Sequence, residues 1–225
     1  MTETIPPTAL IVHAHPEPSS FSTAQAQHAR QTLEAGGWAV ELLDLYARGW
    51  DPVLDRGEFA PVDGPFKPQR EQWAAVRAGT LTEEVRADLD RVLAADLLVL
   101  SFPLWWFSVP AILKGWLDRV FVMGGVAGGD AGLFETARLA GRRAVVLTTT
   151  GGPAEAFTAD GAFGDIDRFL FHIHRGMLEF VGYEVLAPVI TYAPAHLDDS
   201  GRRTALQRVE AAVRGIRPLA VEGAL

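Results

Sequence analysis

The chain has 225 residues, a net charge of −8 and no cysteine. These numbers exclude disulfides and thiolate metal sites, and 28 acidic against 20 basic residues argue against a partner such as nucleic acid. The length favours a single α/β domain over 1–225. Residues 1–7 lack the layout of a signal peptide, so we expect a cytoplasmic protein. The longest uncharged run is interrupted by Pro103 and Pro110, and we expect no membrane insertion.

Strands and helices are predicted to alternate along the chain. Short runs rich in Val, Leu and Ile predict buried strands, and a more alternating run predicts one strand nearer an edge. In chain order the predicted strands are Thr8–His13, Ala39–Asp44 (the alternating run), 97–102, 143–149 and 185–192. The predicted helices are Phe21–Ala35, ended by Gly36-Gly37, then 81–94, capped by Thr82, and 110–123, 165–180 and 199–216. This order predicts a doubly wound α/β fold with a five-stranded parallel sheet and helices on both faces.

Two inserts interrupt the alternation, at about 45–80 and 124–141. The first contains Trp50, Phe59 and Phe66 as aromatic anchors, and the second is rich in glycine. Long loops in such a sheet are often functional, because ligands bind at the carboxyl ends of the strands. Surface decoration or a subunit interface is an equally open interpretation.

The loop after the first predicted strand carries groups that suit an anion. It reads Val12-His13-Ala14-His15-Pro16-Glu17-Pro18-Ser19-Ser20-Phe21-Ser22. Hydroxyls, free backbone N–H groups and the positive end of a helix dipole would favour a phosphate. Taken alone, the loop is better explained by ordinary N-capping through Ser19, Ser20 or Ser22.

Two further loops follow the predicted strands at 97–102 and 143–149. They read Phe102-Pro103-Leu104-Trp105-Trp106-Phe107-Ser108-Val109-Pro110 and Thr148-Thr149-Thr150-Gly151-Gly152-Pro153. Four large apolar side chains in a row cannot all face the core, so they line a cleft for a planar ligand or form a dimer patch. The two glycines let backbone N–H groups approach a ligand, although the segment also reads as a common turn. The fold brings the three strand ends together, which favours one shared site.

Side chains for other chemistries are sparse. His13 and His15, and likewise His172 and His174, have metal-like spacing, but no carboxylate cluster accompanies them and we expect no metal site. The nucleophile elbow Gly-x-Ser-x-Gly, the P-loop and the Gly-x-Gly-x-x-Gly fingerprint are all missing from the sequence. Hydrolysis is therefore disfavoured.

Together the three loops resemble the NAD(P)H dehydrogenase (quinone) family of flavodoxin-like, dimeric flavoenzymes. The resemblance runs over about 9–216 and is most specific at 95–121, the block that contains Pro103 to Pro110 and Lys114-Gly115-Trp116. Further matches are Ala14-His15 with Ser19-Ser20-Phe21, Thr149-Thr150-Gly151-Gly152, and Gly182-Tyr183-Glu184-Val185-Leu186.

The resemblance implies a bound FAD, with FMN as the less expected flavin, and NAD(P)H as co-substrate. His15, Ser20, Phe21, Ser22 and Ala24 would surround the phosphates. Pro103, Leu104, Trp105, Trp106 and Phe107 would hold the isoalloxazine ring, and Thr149, Thr150, Gly151 and Gly152 would face its pyrimidine end. Lys67, Asp118 and Arg202 match, more weakly, positions that contact the distant parts of FAD.

The implied reaction is a ping-pong hydride transfer from NAD(P)H, through flavin N5, to a quinone or a similar electrophile. In the mammalian members a Tyr and a His are proposed to relay a proton. Phe157 and Phe163 occupy those positions here, and neither can donate a proton. The gate tyrosines of the family are missing from 124–132, and we expect no C-terminal extension. The acceptor and the proton source are therefore open.

Two alternatives keep the flavin but change the function. One is an FMN-dependent reductase of azo or nitro compounds, and the other is a flavin-bound ancillary subunit of a potassium-efflux system. Because the family builds its cleft from both subunits, the resemblance also implies a homodimer.

Overall fold

A single parallel sheet forms the centre of the molecule. The computed structural model describes residues 5–61 and 64–217, so Met1 to Thr4 of the N-terminal stretch lie outside the described residues. The strands are β1 (Thr8–His13), β2 (Ala39–Asp44), β3 (Leu97–Pro103), β4 (Arg143–Thr150), β5 (Glu184–Val185) and β6 (Val189–Tyr192). Their order is β2-β1-β3-β4, and β5 and β6 both pair with β4. This is the flavodoxin-like, doubly wound order.

The fifth position of the sheet is filled by two short strands. The sequence predicts one strand over 185–192, but β5 pairs with the beginning of β4 and β6 pairs with its end. Pro188 lies between them and has no N–H to donate to β4. The prediction of a sheet with five strand positions is therefore confirmed, but the fifth position holds two short strands instead of one.

Helices cover both faces of the sheet. They are α1 (Phe21–Ala35), α2 (Pro68–Ala78), α3 (Glu83–Ala94), α4 (Ala111–Val120), α5 (Ile166–Ile173) and α6 (Asp199–Arg214). On one face, α1 and α6 pack their buried residues against Ile11 of β1, and on the other face α3, α4 and α5 pack around Leu10 and Val12. Alternate residues of β1 thus pack into two separate hydrophobic cores, one on each face of the sheet, as the continuous apolar run predicts.

Three predictions about the helices need correction. Helix α2 lies inside the first insert and is not predicted by the sequence pattern, because prolines and glycines interrupt that stretch. Thr82 precedes α3 but its hydroxyl makes no capping hydrogen bond. The helix predicted over 165–180 ends at Ile173 and continues as a π-helical turn (His174–Leu178) and a 3₁₀ turn (Glu179–Val181). None of the helices in the described ranges is long and apolar enough to cross a bilayer.

Buried ionic contacts fix the first insert to the helices beneath it. The guanidinium of Arg48 donates to both carboxylate oxygens of the fully buried Asp88, at 2.9 and 3.1 Å, and Trp116 Nε1 donates to the same carboxylate at 2.8 Å. The guanidinium of Arg119 lies 4.9 Å from the centre of the buried Trp50 ring. These partners satisfy the buried charges and hold the insert in one place.

Candidate active site

The carboxyl ends of β1, β3, β4 and β6 meet at one edge of the sheet. The register aligns His13 with Ser101, Pro103 with Thr149, and Thr150 with Tyr192. A cleft of about 560 Å³ opens at this edge. It is lined by Pro103, Leu104, Trp105, Trp106, Thr149, Thr150, Gly151, Ala193, Pro194 and Ala195. Two of the three predicted loops thus face one cleft, whose volume is in the range of small-molecule sites.

One wall of the cleft is a tight turn that carries two aromatic residues. Trp105 and Ser108 exchange both backbone hydrogen bonds at 3.0 Å, so Trp106 and Phe107 occupy the centre of the turn. Their φ angles are +51° and +59°, in the left-handed region. Such a conformation costs a side-chain-bearing residue about 1–3 kcal/mol and is found mostly at functional sites. The side chain of Trp106 is 97% exposed.

Unpaired backbone donors border the cleft on two sides. Within the described residues, the N–H groups of Trp106, Phe107, Gly151 and Gly152 donate to no backbone carbonyl. A Cβ atom built on Gly151 would meet no protein atom within 4 Å. The backbone is therefore open to a ligand here, and free donors flank an otherwise apolar cleft.

The start of α1 provides a third group of donors. Ser20 caps the helix, because its hydroxyl accepts the N–H of Thr23 at 3.1 Å. The N–H groups of Phe21 and Ser22 donate to no carbonyl in the part of the chain that the structure describes. N-capping, the simpler interpretation of this loop, is thus confirmed for Ser20, and the two free donors still leave room for an anion.

His15 stands between this loop and the aromatic turn. Its Nδ1 lies 3.0 Å from the backbone N of Glu17 and 3.2 Å from the carbonyl oxygen of the same residue. Its ring centre lies 6.0 Å from that of Trp105. His15 therefore presents Nε2 near the cleft, while its Nδ1 is held by the backbone of Glu17.

A buried hydroxyl pair joins the two sides of the site. Ser22 Oγ, in the first turn of α1, lies 2.8 Å from Thr149 Oγ1 at the end of β4. Ala24 follows one residue after Thr23 on the same turn, and its N–H bonds to the carbonyl of Ser20 as part of the helix. The predicted phosphate loop and the predicted pyrimidine-end loop are therefore in direct contact.

Phe157 and Phe163 belong to an aromatic cluster beside the turn. Phe107 stacks on Phe169 with ring centres 4.5 Å apart and meets Phe163 edge-on at 5.7 Å. Phe157 lies 5.2 Å from Phe163 and 5.8 Å from the ring of Tyr192, and burial raises the pKa of the Tyr192 hydroxyl. The cluster makes this side of the site apolar.

The three weaker matches do not reach the cleft within one chain. Lys67 and Asp118 line a second cavity, of about 850 Å³, in which Asp118 pairs with Lys114 at 2.6 Å. Arg202 lies in the first turn of α6, where its Nε donates to the carbonyl of Leu197 at 3.2 Å. Among the described residues, no group of three or more His, Asp or Glu side chains could hold a metal ion.

Sequence reasoning overlooked two parts of the site. Ala193, Pro194 and Ala195 line the cleft after β6, and Ala193 has a φ of +43°. The sequence signal for these residues is that they follow the last predicted strand, whose carboxyl end lies at the same edge of the sheet as the other three. The buried contacts of His13 depend on the pairing of β1 with β3, for which its spacing to His15 gives no signal.

Comparison with known proteins identifies the family. A model described as a flavodoxin-like fold matches residues 7–213. NAD(P)H dehydrogenase (quinone) 1 of Cavia porcellus is 38% identical over 194 residues, which cover 84% of this chain and 69% of the relative. The chain belongs to the flavodoxin-like NAD(P)H dehydrogenase (quinone) family. This confirms the resemblance seen in the three loops, and the chain is an oxidoreductase of the quinone dehydrogenase type.

Two further comparisons agree with this family. Ribosyldihydronicotinamide dehydrogenase (quinone) of Rattus norvegicus is 38% identical over 200 residues, which cover 88% of this chain and 86% of the relative. Among solved structures, a candidate quinone reductase from Klebsiella pneumoniae superposes with a TM-score of 0.85 at 35% identity and covers 91% of this chain and 82% of its own.

The residues at the cleft fit the flavin that this family implies. A planar ring with carbonyl and nitrogen atoms on its edges needs apolar surfaces for its faces and hydrogen-bond donors for its edges. Leu104, Trp105 and Trp106 offer the apolar surface, and the free N–H groups on both sides offer the donors. The open space at the Cβ position of Gly151 is where such a ring could approach the backbone.

Proposed function

We propose that the chain is a flavin-dependent NAD(P)H oxidoreductase that transfers a hydride from NAD(P)H, through flavin N5, to quinones or similar electrophiles in a ping-pong reaction. The observation that carries the proposal is the cleft at the strand ends, where an apolar wall is bordered by unpaired backbone N–H groups. When bound, the flavin supplies the redox chemistry, and the protein supplies position and electrostatics.

The backbone would hold the ring at its two polar edges. We assign the N–H groups of Trp106 and Phe107 to one edge, together with the surface of Pro103, Leu104 and Trp105. The N–H groups of Gly151 and Gly152 would donate to the pyrimidine edge, beside Thr149 and Thr150. Donors fixed in advance by a tight turn and a strand end need no rearrangement when charge develops at that edge.

The start of α1 would hold the phosphates. We assign this subsite to His15 Nε2, the N–H groups of Phe21 and Ser22, and the hydroxyl of Ser20, which would turn from Thr23 toward the anion, with Ala24 packed beside them. Several donors and the positive end of the α1 dipole converge there, which favours a negatively charged group.

We propose a homodimer with FAD as the flavin. Lys67 and Asp118 line a cavity that shares no lining residue with the cleft, so one chain does not bring them to its own cleft. A second subunit would supply them to the distant part of an FAD, while Arg202 would come from the same chain. The second subunit would also bury part of the exposed indole of Trp106. Sedimentation of a fully active, stable monomer would contradict the homodimer.

The acceptor is proposed to be an apolar, planar molecule such as a quinone. The cluster of Phe107, Phe157, Phe163 and Phe169 provides aromatic surface beside the turn. Phe157 and Phe163 can supply no proton, so the proton of the product must come from another group or from water. We further propose a cytoplasmic location, where NAD(P)H is available, and a single domain over 1–225.

Steady-state kinetics test the proposed function. We expect the purified holoprotein to oxidise NADH or NADPH with menadione as acceptor and to give parallel double-reciprocal lines, as a ping-pong reaction requires. Removal of the flavin should abolish the reaction, and added FAD should restore it. Turnover with azo or nitro compounds but not with quinones would favour the FMN reductase alternative. A flavin-loaded protein that turns over none of these acceptors would favour the ancillary-subunit alternative.

A further inference from the structure

His13 is the last residue of β1 and lies buried beneath the loop that begins α1. Only 1% of its surface is exposed. Its Nδ1 is 3.2 Å from Ser101 Oγ on β3, and its Nε2 is 3.0 Å from Thr23 Oγ1 in the first turn of α1. Both ring nitrogens thus contact hydroxyls, and the ring joins two strands to the helix start. Through Thr23 the ring is separated by one hydroxyl from Ser20, the capping residue of α1.

The hydrogen bonds of Thr23 set the direction of the donors. Thr23 has one hydroxyl proton, and it donates to the carbonyl of Glu17 at 3.2 Å. His13 Nε2 must then carry the ring proton and donate to Thr23, whereas Nδ1 accepts from Ser101. Thr23 Oγ1 also lies 2.9 Å from Ser20 Oγ, the capping hydroxyl of α1. Because the Thr23 proton is used, Ser20 is the donor in this contact, so His13 Nε2–H and the Ser20 hydroxyl both donate to Thr23 Oγ1.

We propose that His13 is a positioning residue of the anion site and that it takes up a proton when the pyrophosphate of FAD binds. The proposal rests on the proposed function, since it needs the phosphates at the start of α1. The proton comes from solvent and is held at Nδ1. Nε2–H keeps its bond to Thr23, Nδ1–H donates to Ser101 Oγ, and the Ser101 proton can turn to the Ser22 carbonyl, 3.5 Å away. Protonation thus keeps both ring contacts and places a positive charge below the anion.

The charges around His13 are few. Without a ligand, burial lowers the pKa of His13, the carboxylate of Asp44 on β2 and a hydrogen bond with the backbone of Ser101 oppose this shift, and His15 in the loop adds to it. Ser101 on β3 and Thr23 on α1 are neutral. An anion near Ser20 adds a favourable interaction for the protonated ring and so raises its pKa. By linkage, FAD must then bind more tightly as the pH falls, by at most about tenfold per pH unit for one proton.

Calorimetry of FAD binding to the apoprotein tests this inference. Titrations near pH 7 in two buffers with different ionisation enthalpies give the number of protons taken up per FAD. FAD is the suitable probe, because the second ionisation of a phosphate monoester such as FMN falls near pH 6 and would add its own protons. We expect uptake of a fraction of a proton, and tighter binding at pH 6 than at pH 8. His13→Gln retains an N–H donor for Thr23 but cannot titrate, so it should lower both the uptake and the pH slope. His174→Gln, which replaces a histidine of the π-helical turn outside the anion site, is the matched control and should leave both quantities unchanged.

The outcomes separate the inference from the proposed function. Equal proton uptake and an equal pH slope in wild type and His13→Gln would overturn the role of His13. If the wild-type protein binds neither FAD nor FMN, the proposed function itself fails. If His13→Gln does not fold, NMR titration of the wild-type imidazole decides: its pKa must rise on FAD binding, and an unchanged or lower value would overturn the inference.

Discussion

Ser22 Oγ and Thr149 Oγ1 form a buried hydrogen bond of 2.8 Å across 127 residues of sequence. The bond joins the first turn of α1 to the end of β4. Both hydroxyls are buried, so neither has water as a substitute partner. Two loops that we assign to opposite ends of one flavin are thereby held at a fixed distance.

Removal of one of these hydroxyls should destabilise the apoprotein. Ser22→Ala leaves the Thr149 hydroxyl buried without a partner, which costs about 1–3 kcal/mol, measurable as a lower urea midpoint. The isosteric Thr149→Val should cost a similar amount. The double variant removes both polar groups and should cost less than the sum of the two single changes. Additive losses would mean that the two hydroxyls are not coupled.

Gly151→Ala should weaken flavin binding and leave the fold intact. A Cβ atom at Gly151 meets no protein atom within 4 Å, and its φ lies outside the left-handed region, so the apoprotein tolerates alanine. The methyl group would project into the space that we assign to the ring. We expect an unchanged melting temperature of the apoprotein and at least tenfold weaker FAD binding, equivalent to about 1.4 kcal/mol. Gly215→Ala, at the end of α6, is the matched control and should change neither quantity. Equal FAD affinity in all three proteins would remove Gly151 from the flavin site.

Trp106→Ala should lower flavin occupancy or the rate of hydride transfer. The indole is almost fully exposed, so its removal costs the apoprotein little apolar burial, and a less bulky residue keeps the left-handed φ. Any loss then reflects contact with the flavin or with the partner subunit. Phe171→Ala removes another exposed aromatic side chain, on α5, and serves as the control. Unchanged flavin absorbance and kinetics in Trp106→Ala would exclude Trp106 from the site.

The fold could be predicted from the sequence because buried strands and amphipathic helices have clear periods. The continuous apolar run of β3 is typical of a buried strand, and the period and end signals of α1 are typical of a helix. The division of β5 from β6 was not visible, since a single proline between Val185 and Val189 has a local effect that periodicity does not resolve. Helix α2 was hidden by the prolines that precede it, although Pro68 is well placed in its first turn.

The site was predictable where its residues follow one another in the sequence. Each of the loops at Ser20 and Trp106 is one continuous run of residues, so its chemical groups are evident from the sequence. The bond from Ser22 to Thr149 and the contacts of His13 depend on which strands are neighbours and on the register between them. Such contacts need the folded structure. The location of Lys67 and Asp118 away from the cleft is likewise a property of packing rather than of sequence order.

The stability of the apoprotein should fall as the pH decreases below about 6.5. Burial lowers the pKa of His174 from its ordinary value of 6.5, while Glu179 and Asp167 oppose the shift. At pH values between the folded-state pKa and 6.5, His174 therefore binds a proton in the unfolded chain but not in the native state. The free energy of unfolding decreases over that pH range as the pH falls.

Urea unfolding at several pH values between 8 and 5.5 measures this effect. His174→Gln should reduce the dependence on pH, whereas His196→Gln, which changes an exposed histidine, should not. A His174→Gln variant with the same pH dependence as the wild type would exclude His174 as its source.

The most direct test of the account is to identify the cofactor of the purified protein. The protein is denatured, and the released molecule is separated by chromatography and identified by absorbance and mass. We expect FAD at one molecule per chain. A protein that releases no flavin, and that binds neither FAD nor FMN when either is supplied, would contradict it.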